Sequence, residues 1–279
     1  MKSIGQLNDI EWKEYLLRSL HQEVVEGVKF SKFPSEELQA NFVGSSAESA
    51  LKEGFKFYDA VKKYWPSVDG GADPVFGRRF LDFGCGWGRF MRIFRKDFRP
   101  DRMYGVDIDP TVIEVCRDCG VDGNFSTIQP RGQLPFPNNY FDTIIAYSVF
   151  THLPEDIHNL WIRELARVSR PGCIFALTLE PLRFLDFIED LQTSESESGW
   201  HKNLKRFCSA VPEFKNQFHS GEFVYIPTGG GDIRTEDVYG EAVIPVDWVR
   251  RSWDGLFEVL EYTDDPDQFW QALVIARRQ

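Results

Sequence analysis

The chain has 279 residues, of which 42% are hydrophobic and 27% charged, with a formal net charge of −11. That is enough apolar material for one large α/β domain with additions, or two small domains, and it excludes wholesale disorder. The acidic balance opposes a nucleic-acid backbone as the main partner, because phosphate contacts demand clustered Lys and Arg.

The opening stretch MKSIGQLNDIEWKEYLLRSL has no apolar run behind its first lysine, so no secretory leader is expected. No segment is long and apolar enough to span a bilayer, so no membrane partner is expected either. Cys85, Cys116, Cys119, Cys173 and Cys208 form no regular framework, which suits a reducing, cytoplasmic compartment. Cys116 and Cys119 have CxxC spacing, but no second ligand pair accompanies them, so no metal is expected.

Residues 10–29 carry apolar side chains at three- and four-residue steps, which predicts one amphipathic helix. FPSEELQANFVGSS reads as a loop leading to a second helix, for which Ser45 and Glu48 have capping-box spacing. Leu51, Phe55, Tyr58, Val61 and Trp65 then share one face, and Pro66 ends the run. Pro66–Gly77 is rich in Gly, Pro and Asp and reads as a linker. Residues 1–77 are therefore expected to be a helical extension with its linker.

From 78 to 180 the pattern alternates. RRFLDF, RMYGVDI, GNFSTI, FDTIIAYS and GCIFALTL read as strands, with helices near GRFMRIFRKDF, PTVIEVCRDC and LPEDIHNLWIRELARVS and a stop at RPG. Such alternation predicts a doubly wound, mostly parallel sheet with helices on both faces. Residues 181–240 break the rhythm. They are expected to form an aromatic-rich insertion that caps an acceptor site, with TSESESG and TGGG as flexible points. Residues 241–279 read as helix, strand, turn, strand and would complete a seven-stranded sheet.

RFLDFGCGWGRF, Arg79 to Phe90, places Gly84, Gly86 and Gly88 straight after the first of these strands. Glycines there let backbone approach a ligand that a side chain would block. The dinucleotide fingerprint G-x-G-x-x-G fails, because its third glycine would fall at Arg89, and no Lys-Ser or Lys-Thr pair makes a phosphate loop. Asp107 ends the next strand, where a carboxylate accepts both hydroxyls of an adenosine ribose. An adenosine without a neighbouring pyrophosphate fits both observations.

With LPFPNNYFDTIIAYSVFTHL and LARVSRPGC in the same order, the chain resembles the class I S-adenosylmethionine-dependent methyltransferases, nearest their small-molecule branch. The resemblance covers about Arg79 to Leu179 and the closing strands. It implies S-adenosylmethionine as cofactor, with Gly84, Cys85, Gly86 and Gly88 around its methionine part and Asp82 near the ammonium. Asp107 would take the ribose, Ile108 and Gln129 the adenine, and Tyr147 and Ser148 would face the transfer centre. Where the family often carries an acidic residue for adenine, this chain has IQPRGQLPF.

Methyl transfer is an in-line displacement that depends mainly on positioning, and a base is needed only when the acceptor must lose a proton. His152, after the fourth strand, is the candidate base. Glu180, His201, Tyr225, Tyr239 and Glu241 are candidates for the lining of a small-molecule acceptor pocket. A non-catalytic cofactor-binding protein and a protein methyltransferase are the alternative readings.

Overall fold

The computed structural model describes residues 4–65, 77–195, 198–231 and 233–279. All but the last residue of the expected linker, and two residues of TSESESG, lie outside them. The chain divides into two compact units, residues 1–129 with 139–145, and residues 130–138 with 146–279.

In the first unit, α1 (Asp9–Arg18) starts on a reciprocal capping box between Asn8 and Glu11. It does not continue to residue 29 as the apolar spacing predicts. Val24–Val25 (β1) and Val28–Lys29 (β2) form a hairpin instead. Its two central residues, Glu26 and Gly27, sit at φ of 48° and 86°. Positive φ at both positions is what a tight hairpin turn demands, and the β-branched valines favour strand over helix.

The stretch read as a loop is also corrected: it contains α2 (Glu36–Val43), capped by the Ser35 hydroxyl and closed by Gly44 at φ 73°. The cap of α3 (Ala47–Lys62) is Ser46, one residue later than the predicted box, and it makes no side-chain cap bond. The amide of Ala47 is met at 2.9 Å by the side chain of buried Gln39, so a tertiary contact replaces the local one. All five apolar residues predicted for one face of α3 and the turn after it are buried.

The strands and helices that follow are β3 (Phe80–Phe83), α4 (Arg89–Phe94), β4 (Met103–Asp107), α5 (Pro110–Asp118), β5 (Asn124–Thr127) and β6 (Phe141–Ala146). A Cβ on Gly54 of α3 would lie 2.5 Å from Ile93 Cδ1 of α4, so a side chain there would force the two helices apart. The indole nitrogen of Trp12 donates to the Ile93 carbonyl at 2.8 Å and fastens α1 to α4.

The second unit contains α6 (Glu155–Val168), β7 (Ser169–Leu179), α7 (Arg183–Asp190), α8 (Gly199–Lys205), α9 (Val211–His219), β8 (Val224–Ile226), β9 (Glu241–Val243), α10 (Val246–Ser252), β10 (Phe257–Thr263) and β11 (Ala272–Arg278). Seven strands form one sheet in the order β10-β11-β7-β6-β3-β4-β5. β3 runs parallel to β4 and β6, β4 parallel to β5, and β11 antiparallel to β7 and β10. This is the expected seven-stranded α/β fold.

Three details differ from the sequence reading. RPG lies inside β7 instead of ending α6, and β9 precedes α10, pairing with β8 in a separate small sheet. TGGG is a hydrogen-bonded turn, with Gly229 and Gly230 donating to the carbonyls of Tyr239 and Arg234. The insertion has an apolar core of its own, built on Phe184, Leu185, Ile188, Leu204 and Val224, against which Phe207, Phe214 and Phe218 pack.

α6 buries His158 completely in a cage of Phe150, Phe223, Trp248 and Trp253. Trp253 donates to its Nε2 at 3.2 Å. Burial pushes this imidazole down to about 3. The unfolded chain protonates it near ~6.5, so the stability of the neutral caged ring is complete above that pH and is lost as pH falls towards 3. Urea unfolding at pH 7 and pH 4 should therefore cost the parent chain about 3 kcal/mol more than it costs H158Q. Equal losses in the two proteins would remove His158 from the acid response.

Candidate functional site

Asp82 lies on β3, hydrogen-bonded on both sides by β4 and β6, so its side chain is fixed in the middle of the sheet. The chain then turns sharply. The amides of Gly84 and Cys85 both donate to the Val106 carbonyl, at 2.8 and 3.0 Å, and Gly88 donates to Cys85 at 2.9 Å. Gly84, Gly86 and Gly88 take φ of 78°, 49° and 79°, a region that strains any L side chain. Gly88 is also crowded: a Cβ there would sit 3.1 Å from Cys116 Sγ and 3.2 Å from the Arg92 guanidinium.

Asp107 ends β4 and grips this loop. One carboxylate oxygen accepts from the Gly86 amide at 2.9 Å, the other from the Asp109 amide at 3.0 Å. Buried Arg92 holds the far side, donating to the carbonyls of Trp87 and Gly88 and, at 2.6 Å, to that of Lys32. Phe42 of α2 stands 3.7 Å from where a Gly86 Cβ would be, so the helical extension reaches the loop. Ile108 is half-buried and Gln129 exposed.

Two acidic groups here are perturbed. Burial, and next the charge of Asp107, push the Asp82 carboxyl up to about 8, against the opposing pull of Arg89. Its Oδ2 has no hydrogen-bond partner among the described residues. The thiol of Cys85 is raised through its bond to Cys116, through burial and through Asp107, so it stays protonated and is no nucleophile.

The second unit holds another polar cluster, just past the ends of β6 and β7. Ser148, at φ 56°, donates its amide to Thr178 at 2.7 Å. Thr178 donates to Gln271 Oε1 at 2.6 Å, and Gln271 Nε2 reaches Ser148 at 2.9 Å and Glu180 at 3.0 Å. His152 stacks on Tyr239 with ring centroids 4.4 Å apart and sets Nδ1 2.8 Å from the Gly240 carbonyl. Glu241 Oε2 lies 3.3 Å from the same nitrogen, and Glu241 Oε1 accepts from the Trp200 indole at 2.7 Å. Burial and then the charge of Glu241 push Glu180 up to about 8.

Of the residues expected around an acceptor, the structure thus gathers Ser148, His152, Glu180, Tyr239 and Glu241. Tyr147 is half-buried next to Ser148. Tyr225 turns its hydroxyl to the Glu236 carbonyl at 2.8 Å. His201 lies edge-on to Phe187, and it is the preceding residue, Trp200, that reaches Glu241. Trp200, Thr178 and Gln271 escape sequence reasoning. Gln271 comes beside Glu180 only because Ala272 pairs with Leu179, a register that nothing local in the sequence marks. Trp200 carries no local signal at all.

Residues Leu81 to Leu177 match the family described as methyltransferase domain. A fatty-acid O-methyltransferase of Mycolicibacterium smegmatis is 32% identical over 105 residues, 37% of this chain and 38% of that protein. A ubiquinone/menaquinone biosynthesis C-methyltransferase of Burkholderia vietnamiensis is 31% identical over 117 residues, 38% of this chain and 47% of that protein. This chain therefore spans less than half the length of either relative. The crystal structure of the PH0226 protein from Pyrococcus horikoshii superposes with a TM-score of 0.56 at 15% identity, over 88% of this chain and 99% of that one, and shares the fold. Across Leu81–Leu177 the chain is thus similar to the methyltransferase domain, within an α/β fold shared with that structure.

Proposed function

We propose that this protein is an S-adenosylmethionine-dependent methyltransferase acting on a small-molecule acceptor. The observation that carries the reading is the pairing of a loop with glycine at alternate positions and two buried carboxyl groups. Asp107 is already bonded to the Gly86 amide of the loop, while Asp82 has an oxygen with no partner among the described residues. A buried orphan oxygen is costly unless a ligand meets it, and an ammonium group does so directly. Asp82 would hold the cofactor's ammonium, Asp107 its ribose hydroxyls, and Ile108 and Gln129 its adenine. The bound cofactor supplies an electrophilic methyl on sulfur.

Holding the acceptor in line with that methyl is the protein's main task, and proximity can supply a large part of the acceleration. The relatives' names include a fatty acid and a quinone, which supports a small organic acceptor over a macromolecule. The five free cysteines suit a reducing, cytoplasmic setting.

Calorimetric titration should show binding of S-adenosylmethionine and its demethylated product, and none of NAD. Binding of neither sulfur compound would withdraw the assignment. D107N keeps the shape of the side chain but loses the charge and one acceptor. It should weaken S-adenosylmethionine binding by about 1.5–3 kcal/mol, roughly ten- to a hundredfold, and also lower the thermal midpoint of the free protein, because one of the two backbone amides held by Asp107 loses its acceptor.

Asp82 gives a pH signature. With its carboxyl raised to about 8, it is mostly protonated at pH 7 in the free protein, and pairing with an ammonium requires the carboxylate. Binding at pH 7 should then release up to one proton, so affinity climbs as pH rises above 7 and falls again where the ligand's own α-ammonium, with a pKa of about 8, loses its proton. Titration in buffers of different ionisation enthalpy measures that release, and D82N should abolish it. A wild-type release equal to that of D82N would place the ammonium elsewhere.

A further inference from the structure

Within the second unit, the hydrogen bonds of His152 fix its chemistry. A carbonyl oxygen only accepts, so the 2.8 Å contact from Nδ1 to Gly240 places the ring hydrogen on Nδ1. The neutral ring therefore carries its lone pair on Nε2, which makes no hydrogen bond among the described residues. Behind Nδ1 lies Glu241, 1% exposed and 3.3 Å away, and Glu241 is itself held by the Trp200 indole at 2.7 Å. The order is indole, carboxylate, imidazole, free nitrogen. A carboxylate behind the imidazole stabilises the imidazolium that forms when Nε2 takes a proton.

The surroundings are compatible with that task. Glu180, Glu241 and Tyr239 face the ring, and the Arg234 guanidinium lies over Tyr239 at 6.0 Å from its centroid. Burial lowers the affinity of the ring for a proton, but Glu241, the Gly240 carbonyl and Glu180 together raise it above its ordinary value. Among the described residues, two further buried oxygens in this neighbourhood, Thr151 Oγ1 and Glu180 Oε2, have no hydrogen-bond partner. Such a set points to a polar ligand, since buried polar atoms are otherwise paired.

We propose that His152 is a general base positioned by Glu241, and that the methyl acceptor is a hydroxyl group. This rests on the methyltransferase reading above. The acceptor's O–H bond breaks and its proton passes to Nε2. The oxygen's electron pair forms the bond to the methyl carbon, and the carbon–sulfur pair stays on sulfur, leaving a neutral thioether. An amine needs no such base before attack, and the acceptor must have a proton to lose for the pair to matter. Glu241 is the positioning residue.

The test uses the full chain with 15N-labelled histidine, followed by NMR across pH. His152 should show the Nδ1–H tautomer in its neutral form. In E241Q, which keeps a side-chain oxygen for Trp200, its pKa should fall by about one unit or more, with partial recovery in E241D. An Nε2–H tautomer, or a pKa unmoved in E241Q, overturns the pair. In parallel, transfer of labelled methyl from S-adenosylmethionine is measured onto a panel of phenols, aliphatic alcohols, amines, thiols and activated carbon acids.

Methylation is expected among the hydroxyl compounds, with turnover in H152Q down about 10²–10⁴-fold and S-adenosylmethionine affinity unchanged. Inert hydroxyl compounds, or undiminished turnover in H152Q, overturn the acceptor class. Loss of the methyltransferase reading looks different: S-adenosylmethionine fails to bind while the NMR signature of the pair persists.

Discussion

Asp107 is the constraint on which the first unit turns. Its carboxylate closes the end of β4 onto the glycine loop by accepting the Gly86 amide, and orders the chain beyond β4 by accepting that of Asp109. Three left-handed glycines at alternate positions would otherwise make this a pliable segment, since glycine loses the most conformational freedom on folding. Arg92 completes the grip from the opposite side, spending its donors on the carbonyls of Trp87, Gly88 and Lys32. The loop is thus held by one anion and one cation, each placed by a neighbouring element of the sheet or its first helix. A preformed loop lowers the ordering cost of binding.

The N-terminal extension belongs to that arrangement. Trp12 is fixed to Ile93, and Lys32 is joined to Arg92 through its carbonyl and to Cys119 through its amide. α2 brings Phe42 to the edge of the loop at Gly86. Gly54 permits α3 to lie against α4, the helix that starts on Gly88. A shift in the extension would therefore be felt at the glycines through packed side chains, without any direct contact with a ligand.

What could be read in the sequence follows from the range of the interaction involved. The sheet strands and the turn of the glycine loop were legible because strand and turn are set by neighbours in the chain, and the same pattern put Asp107 at the end of its strand. α2 was missed although its signals were local: Ser35 before two glutamates and Gly44 after the last turn are ordinary start and stop residues, passed over beside Pro34. The misplaced cap of α3 has another cause. Gln39, eight residues earlier in the chain, supplies the bond that a capping box would have supplied, and no spacing rule anticipates that. Trp200 and Gln271 are the extreme case, brought to Glu241 and Glu180 across 41 and 91 positions. His152, Glu180 and Glu241 could be nominated from position alone, but their assembly could not.

Both units bury an acid next to a second acid, Asp82 beside Asp107 and Glu180 beside Glu241. Asp82 and Glu180 do not help the fold, since an apolar side chain of similar volume at either position would spare the desolvation of a carboxyl group. In each pair one member is bonded, Asp107 to backbone amides and Glu241 to an indole. The other is driven towards its neutral form and keeps an oxygen with no partner among the described residues. Paired carboxyls pushed apart in this way are a recurring mark of sites that handle charge. In the first unit the partner we propose for it is the ammonium of the cofactor. In the second, Glu180 keeps its unbonded oxygen in the cluster that holds His152, where a neutral carboxyl would donate to a polar ligand.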